Sequence, residues 1–117
     1  MQINWDETQC EVLGAVDGDT IDVRVDLGFY VHSDQRLRLR GVDTPERGQP
    51  GYKEATEFVL RRTVGKRVYF VTYKGDKYGR FLCDVFYWDN DLAAWVNLVT
   101  EIINRGLGKS YDGGTKG

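Results

Sequence analysis

With 117 residues, 41% of them hydrophobic and 29% charged, the chain has the proportions of one soluble globular domain with a single core and no room for a second. It has no membrane-length apolar segment, and its first ten residues show no basic region followed by an apolar run, so it reads as a cytoplasmic monomer with no membrane role and no obligate protein partner, unless a signal was removed. A net charge of −2, taken alone, argues against a nucleic-acid partner.

Residues 10–16 predict a first strand, which Asp17-Gly18 turns into a second over residues 21–27. Ile21, Val23, Val25 and Leu27 alternate with polar residues and face a core, and Asp19 shares their parity at the strand entrance. Residues 29–35 read as a long hairpin connection or irregular strand ends. The third strand, residues 36–42, turns Leu37 and Leu39 inward and sets Arg36, Arg38 and Arg40 on the other face. Asp43 again has the inward parity. Two carboxylates on the core side of strand ends are unfavourable unless water or a cation meets them, so Asp19 and Asp43 are candidate metal ligands.

Pro45, Gly48, Pro50 and Gly51 mark a loop. A helix follows over residues 52–64, with Tyr52, Ala55, Phe58, Val59 and Leu60 at helical spacing, Glu54 and Glu57 early and Arg61 and Arg62 late, as the helix dipole favours. Strands at 67–73 and 81–88 flank a polar loop, residues 74–80. A second helix runs from about residue 97 to 105, with Asn97 as N-cap, Val99, Ile102 and Ile103 buried, and Gly106 as the stop. Residues 112–117 have nothing to bury and read as a flexible tail on a core of about 9–111. Five short strands and two helices in one domain predict an α+β fold built on a small closed antiparallel barrel. Cys10 and Cys83 lack a CxxC partner and read as buried free thiols, and His32 as a solvated loop residue.

Charge is divided along the chain. Residues 1–35 hold eight acids against one base, residues 36–80 twelve bases against five acids, and residues 81–117 five acids against three bases. The middle third therefore predicts a basic surface able to attract a polyanion, although Arg61, Arg62, Lys66 and Arg67 read equally well as a solvated helix face. Asp17 to Thr20 is no EF-hand, because the position of the closing acid, residue 28, is glycine.

The motifs Asp17-Gly18-Asp19-Thr20, Arg38, Val42-Asp43-Thr44-Pro45-Glu46, Glu54-Ala55 with Phe58, Asp76-Lys77-Tyr78-Gly79-Arg80, and Val96-Asn97 with Gly106-Leu107 occur in this order. Together they resemble the staphylococcal nuclease (thermonuclease-like) domain family over roughly residues 10–111. The resemblance implies a five-stranded OB-fold Greek-key barrel with two helices, lacking the family's C-terminal helix. It also implies a Ca²⁺-dependent phosphodiesterase that cleaves DNA and RNA to leave 3′-phosphates. Carried over by position, Asp19, Asp43 and the carbonyl of Thr44 would bind calcium and Glu46 would activate water. Arg38 and Arg80 would clamp the phosphate, and replacing either would cut turnover with the fold intact. Lys77, Tyr78 and Tyr111 would contact the nucleotide. The competing expectation is a non-catalytic nucleic-acid-binding OB module, against which the presence of all five of Asp19, Asp43, Glu46, Arg38 and Arg80 counts.

Overall fold

The alternating runs of the amino-terminal half form strands, as their periodicity requires, and the strands are longer than the sequence predicts. In the computed structural model, which describes residues 2–73 and 81–111, an unforeseen strand, β1 (Gln2–Asp6), comes first. Then β2 (Cys10–Asp17), β3 (Thr20–Gly28) and β4 (Val31–Leu39) form an antiparallel meander. Cys10, Val12, Ile21, Val23, Leu37 and Leu39 are buried from one face of it. Leu27 is not: it is 56% exposed, because the β3–β4 hairpin runs on past the core.

The stretch read as a long connection is a two-residue turn. Phe29 and Tyr30 have φ of 54° and 61°, and Gly28 pairs with Val31 across them. Turns with two positive φ values ordinarily carry Asn or Gly, so two aromatic residues gave no turn signal. His32 therefore lies in a strand, opposite Asp26, and is exposed.

Beyond β4 the chain breaks at Arg40-Gly41, and β5 (Val42–Asp43) pairs with β9 (Lys109–Ser110) as a separate small sheet. Helix α1 (Tyr52–Thr63) buries Ala55, Phe58 and Val59 as predicted, and Thr63 with them, while Tyr52 and Leu60 of the predicted stripe are half-buried. β6 (Val68–Tyr73) and β7 (Phe81–Asp89) are antiparallel, and β7 lies parallel to β4 with Leu37 opposite Phe81. That parallel pair departs from the all-antiparallel expectation. The sheet order is β1-β6-β7-β4-β3-β2, with β8 (Ala94–Asn97) on β7. The five predicted strands are thus neighbours in the order β2-β3-β4-β7-β6, with two helices beside them. The edge strands β1 and β2 are joined by residues 7–9, where Gln9 O accepts the N–H of Asp26 at 2.8 Å. The sheet therefore curls back on itself, although no ladder joins β2 to β1 or β6 among the described residues.

Helix α2 (Leu98–Asn104) starts where predicted: Asn97 Oδ1 accepts the N–H groups of Val99 (2.9 Å) and Thr100 (3.2 Å). It buries Leu98, Val99 and Ile102 against the sheet. Cys10 and Cys83 are buried free thiols, as expected. Burial pushes the Cys10 thiol up to about 12 and raises Cys83 as well, so neither offers a thiolate nucleophile.

Candidate active site

Three segments converge where β2 turns into β3: the turn itself, the break after β4, and the loop before α1. A Cβ on Gly18 would stand 2.9 Å from Ala55 Cβ and 2.9 Å from Thr44 Oγ1, so helix and loop pack directly on the turn. Tyr52 pins the helix there by donating its hydroxyl to Val16 O at 2.8 Å. Asp19 follows and is 6% exposed. Its Oδ2 accepts the N–H (2.9 Å) and hydroxyl (3.2 Å) of Thr44, and its Oδ1 accepts the hydroxyl of Thr20 at 3.0 Å. A carboxylate so buried persists only with such partners, and in making them it ties the turn to the segment after β5.

Arg38 lies one strand over, opposite Thr20, and is also buried. Its Nη1 donates to Leu39 O (2.9 Å) and Val42 O (2.8 Å) and lies 3.6 Å from Asp19 Oδ1, while Nη2 is 3.8 Å from Asp43 Oδ1. Strict alternation puts Arg38 and Asp43 on opposite faces. Gly41 removes that obstacle: its φ of 90°, which L side chains avoid, turns the chain and resets the pleat. Val42 takes the core position, fully buried, and the Asp43 side chain is 43% exposed. The inward position predicted for Asp43 is therefore wrong, and the same displacement delivers it to Arg38. The other two arginines of that strand go elsewhere, Arg36 to Asp22 (2.8 Å) and Arg40 to Asp84 (2.9 Å).

The β5–β9 pairing sets Lys109 opposite Asp43. It also lets Tyr111 N–H donate to Gly41 O at 3.0 Å, with the Tyr111 ring centroid 5.6 Å from Arg38 Cζ. Glu46 is exposed in a loop closed reciprocally with Gln49, at 2.8 and 2.9 Å, and its carboxylate has no ion pair among the described residues. Lys77, Tyr78 and Arg80 lie outside the described residues.

Sequence reasoning passed over Asp17, whose Oδ1 accepts the N–H of Asp19 at 3.1 Å. The acid-any-acid spacing across one glycine was the available signal. Burial, a hydrogen bond shared with Asp19 and the like charge of that neighbour raise the Asp17 carboxyl to about 6. Burial opposes ionisation of Asp19 too. There it is outweighed by hydrogen bonds from Asp17, Thr44 and Thr20 and by the charge of Arg38, and the carboxyl lies below its ordinary range.

Because Asp17 titrates above its ordinary 3.8 in the fold, its ionised form weakens the structure above about pH 6, and the burden fades as pH falls from 6 toward 4. Asp17→Asn in chelator is therefore expected to be more stable than the parent at about pH 8, by on the order of 1 kcal/mol for a half-solvated group. At about pH 4 it should show no gain. Urea midpoints that coincide at the higher pH would refute this account of the pair.

Asp19 and Asp43 are brought to the same guanidinium, at 3.6 and 3.8 Å, and carboxylate oxygens are the donor type that a hard cation such as Ca²⁺ takes. No group of three His, Cys, Asp or Glu side chains that could hold a metal occurs among the described residues.

Residues 36–116 match the family described as staphylococcal nuclease homologue. The chain is similar to a probable endonuclease, LCL3, of Saccharomyces cerevisiae (strain ATCC 204508 / S288c), at 35% identity over 83 residues, 66% of this chain and 30% of that protein. The LCL3 of Eremothecium gossypii is 34% identical over 82 residues, 65% of this chain and 29% of that protein. A probable staphylococcal-like nuclease, CAN1, of Oryza sativa subsp. japonica is 43% identical over 51 residues, 44% of this chain and 15% of that protein. The matches thus span less than a third of each relative. The family match includes Arg38, Asp43, Thr44 and Glu46, while Asp17 and Asp19 precede it.

Proposed function

The chain belongs to the staphylococcal nuclease homologue family, and from that premise we propose that it is a calcium-dependent nuclease that hydrolyses DNA and RNA to 3′-phosphate ends. The observation that carries the reading is the buried guanidinium of Arg38, held 3.6 Å from Asp19 and 3.8 Å from Asp43. Acids and an arginine gathered at one partly open point suit a phosphodiester, whose reaction builds negative charge on the phosphoryl oxygens.

Asp19, Asp43 and the Thr44 carbonyl would hold calcium, which when bound supplies Lewis-acid stabilisation of that charge. Arg38 is oriented in advance by the carbonyls of Leu39 and Val42, and its Nη2, on the side of half-exposed Asp43, is available to a phosphate oxygen. Arg80 is its proposed partner on the phosphate. Glu46, exposed and without an ion pair among the described residues, takes the proton of the attacking water. The water oxygen bonds to phosphorus as the bond from phosphorus to the 5′ oxygen breaks, and that oxygen takes a proton from solvent, leaving a 3′-phosphate and a 5′-hydroxyl. Water is the nucleophile, so no 2′-hydroxyl is needed and both nucleic acids are substrates. Lys77 and Tyr78 contact the neighbouring phosphate, and Tyr111, beside Arg38, borders the nucleotide.

Mass spectrometry of cleaved oligonucleotides tests this directly. With Ca²⁺ the fragments should carry 3′-phosphates, and with EGTA cleavage should stop. Binding without cleavage in any divalent metal would establish the non-catalytic module instead. Glu46→Gln is expected to keep the fold and lose about 10²–10⁴ in turnover, the range for a general base. Turnover at the parental rate in that variant would remove Glu46 from the mechanism.

A further inference from the structure

A second basic surface lies at the far end of β7 from the acids. There the carboxyl end of α1, the residues after it and the end of β7 enclose an open groove of about 670 Å³. Arg61, Arg62, Lys66 and Arg67 line it beside Tyr87 and Trp88. Its acids are Asp89 and Asp91, and Asp89 Oδ1 is already engaged by the N–H groups of Asp91 (2.9 Å) and Leu92 (3.0 Å). Among the described residues Arg61, Arg62 and Lys66 make no ion pair, and Arg67 reaches only Glu7, at 3.8 Å.

The cations sit on aromatic faces. Arg62 lies 4.9 Å from the Phe58 centroid and 5.5 Å from that of Tyr87, with its Nε buried and without a hydrogen-bond partner. Arg67 lies 4.7 Å from the Trp88 ring and 5.2 Å from that of Trp95, and Trp95 is 40% exposed. Four cationic side chains along a groove, three of them without an ion pair among the described residues, next to an exposed indole, match the two demands of a single strand: phosphates need cations and bases need flat apolar faces.

We propose that this groove holds the backbone of a single-stranded nucleic acid that extends out of the catalytic cleft. The proposal rests on the nuclease reading for the identity of the polyanion. Leu82 of β7 lies opposite Arg38, and Trp88 is six residues further along the same strand. That places the groove about 20 Å from the acids at 3.3 Å per residue. A tetranucleotide centred on the acids extends only two nucleotides to either side and does not reach it.

Fluorescence anisotropy on the 117-residue chain in EGTA, with labelled oligothymidylates of 4 and 20 nucleotides, tests the proposal. For Arg61→Ala/Lys66→Ala the 20-mer Kd should rise about tenfold, and the log–log salt slope should fall by about 1.4, two phosphates at 0.7 each. The 4-mer Kd, and 4-mer cleavage with Ca²⁺, should not change. Trp95→Ala should weaken the 20-mer about fivefold or more through lost stacking. A 20-mer Kd within twofold of the parent in the double variant overturns the proposal. So does a decaglutamate peptide that competes as well as unlabelled 20-mer, which would mark the groove as a site for an acidic protein segment. If the 20-mer binds through these residues and nothing is cleaved with Ca²⁺, the groove stands and the nuclease reading falls. If the 4-mer is cleaved and the double variant binds the 20-mer normally, the reverse holds.

Discussion

Arg38→Ala is expected to lose both turnover and stability. Loss of a transition-state contact to the phosphate should lower kcat by about 10²–10³ or more. Sequence reasoning alone leaves the fold untouched by this change, as for a surface clamp, but Arg38 is only 8% exposed. Its removal leaves Leu39 O and Val42 O without their donor and the buried Asp19 carboxylate without its cation. Breaking a buried pair of this kind costs about 3–5 kcal/mol. Arg38→Lys separates the two roles. A lysine restores charge beside Asp19 but cannot span the two carbonyls and Asp43 together, so it should recover part of the stability and little of the turnover. Urea denaturation with single-turnover cleavage reads both, and an Arg38→Ala protein as stable as its parent would show that the guanidinium does not hold the site together.

Gly18→Ala should be the most damaging single-methyl change near the site. The added Cβ meets Ala55 Cβ at 2.9 Å and Thr44 Oγ1 and Cγ2 at 2.9 and 3.0 Å, so α1 or the Thr44 segment has to move. Overpacking of this kind costs about 1–3 kcal/mol, which for a domain near 100 residues lowers Tm by roughly 4–8 °C per kcal/mol. Any shift of Thr44 also loosens its two hydrogen bonds to Asp19, so activity should fall along with Tm. Calorimetry showing a Tm within about 2 °C of the parent would mean that the contact relaxes freely.

Where a strand stayed against the core, its own alternation was sufficient. Ile21, Val23, Leu37 and Leu39 are buried as their alternation requires, and Asp19, carried by the same parity, is buried with them. Asp43 failed because its parity was counted through Gly41, and a single positive φ shifts every later side chain to the other face. Tyr111 reaches Arg38 through the two-residue strand β9, too short for any periodic signal. β8 went unseen for the same reason, at four residues. The Phe29-Tyr30 turn was hidden by residues that rarely adopt its backbone. Asp17 was visible as a letter but not as a titrating group, since its raised pKa arises from burial in the fold and from the hydrogen bond and like charge of Asp19.

β1 has a consequence for what the molecule withholds from its neighbours. Each of its five residues pairs with β6, from Gln2 opposite Tyr73 to Asp6 opposite Tyr69, and Trp5 Nε1 donates to Thr72 Oγ1 at 3.0 Å. The strand it covers reads Val-Tyr-Phe-Val-Thr-Tyr, six strand-forming residues with no charge, glycine or proline. Such a run with an open hydrogen-bonding edge is a template for cross-β association. With β1 docked that edge is filled from within the same chain, so this uncharged strand is kept from its copies.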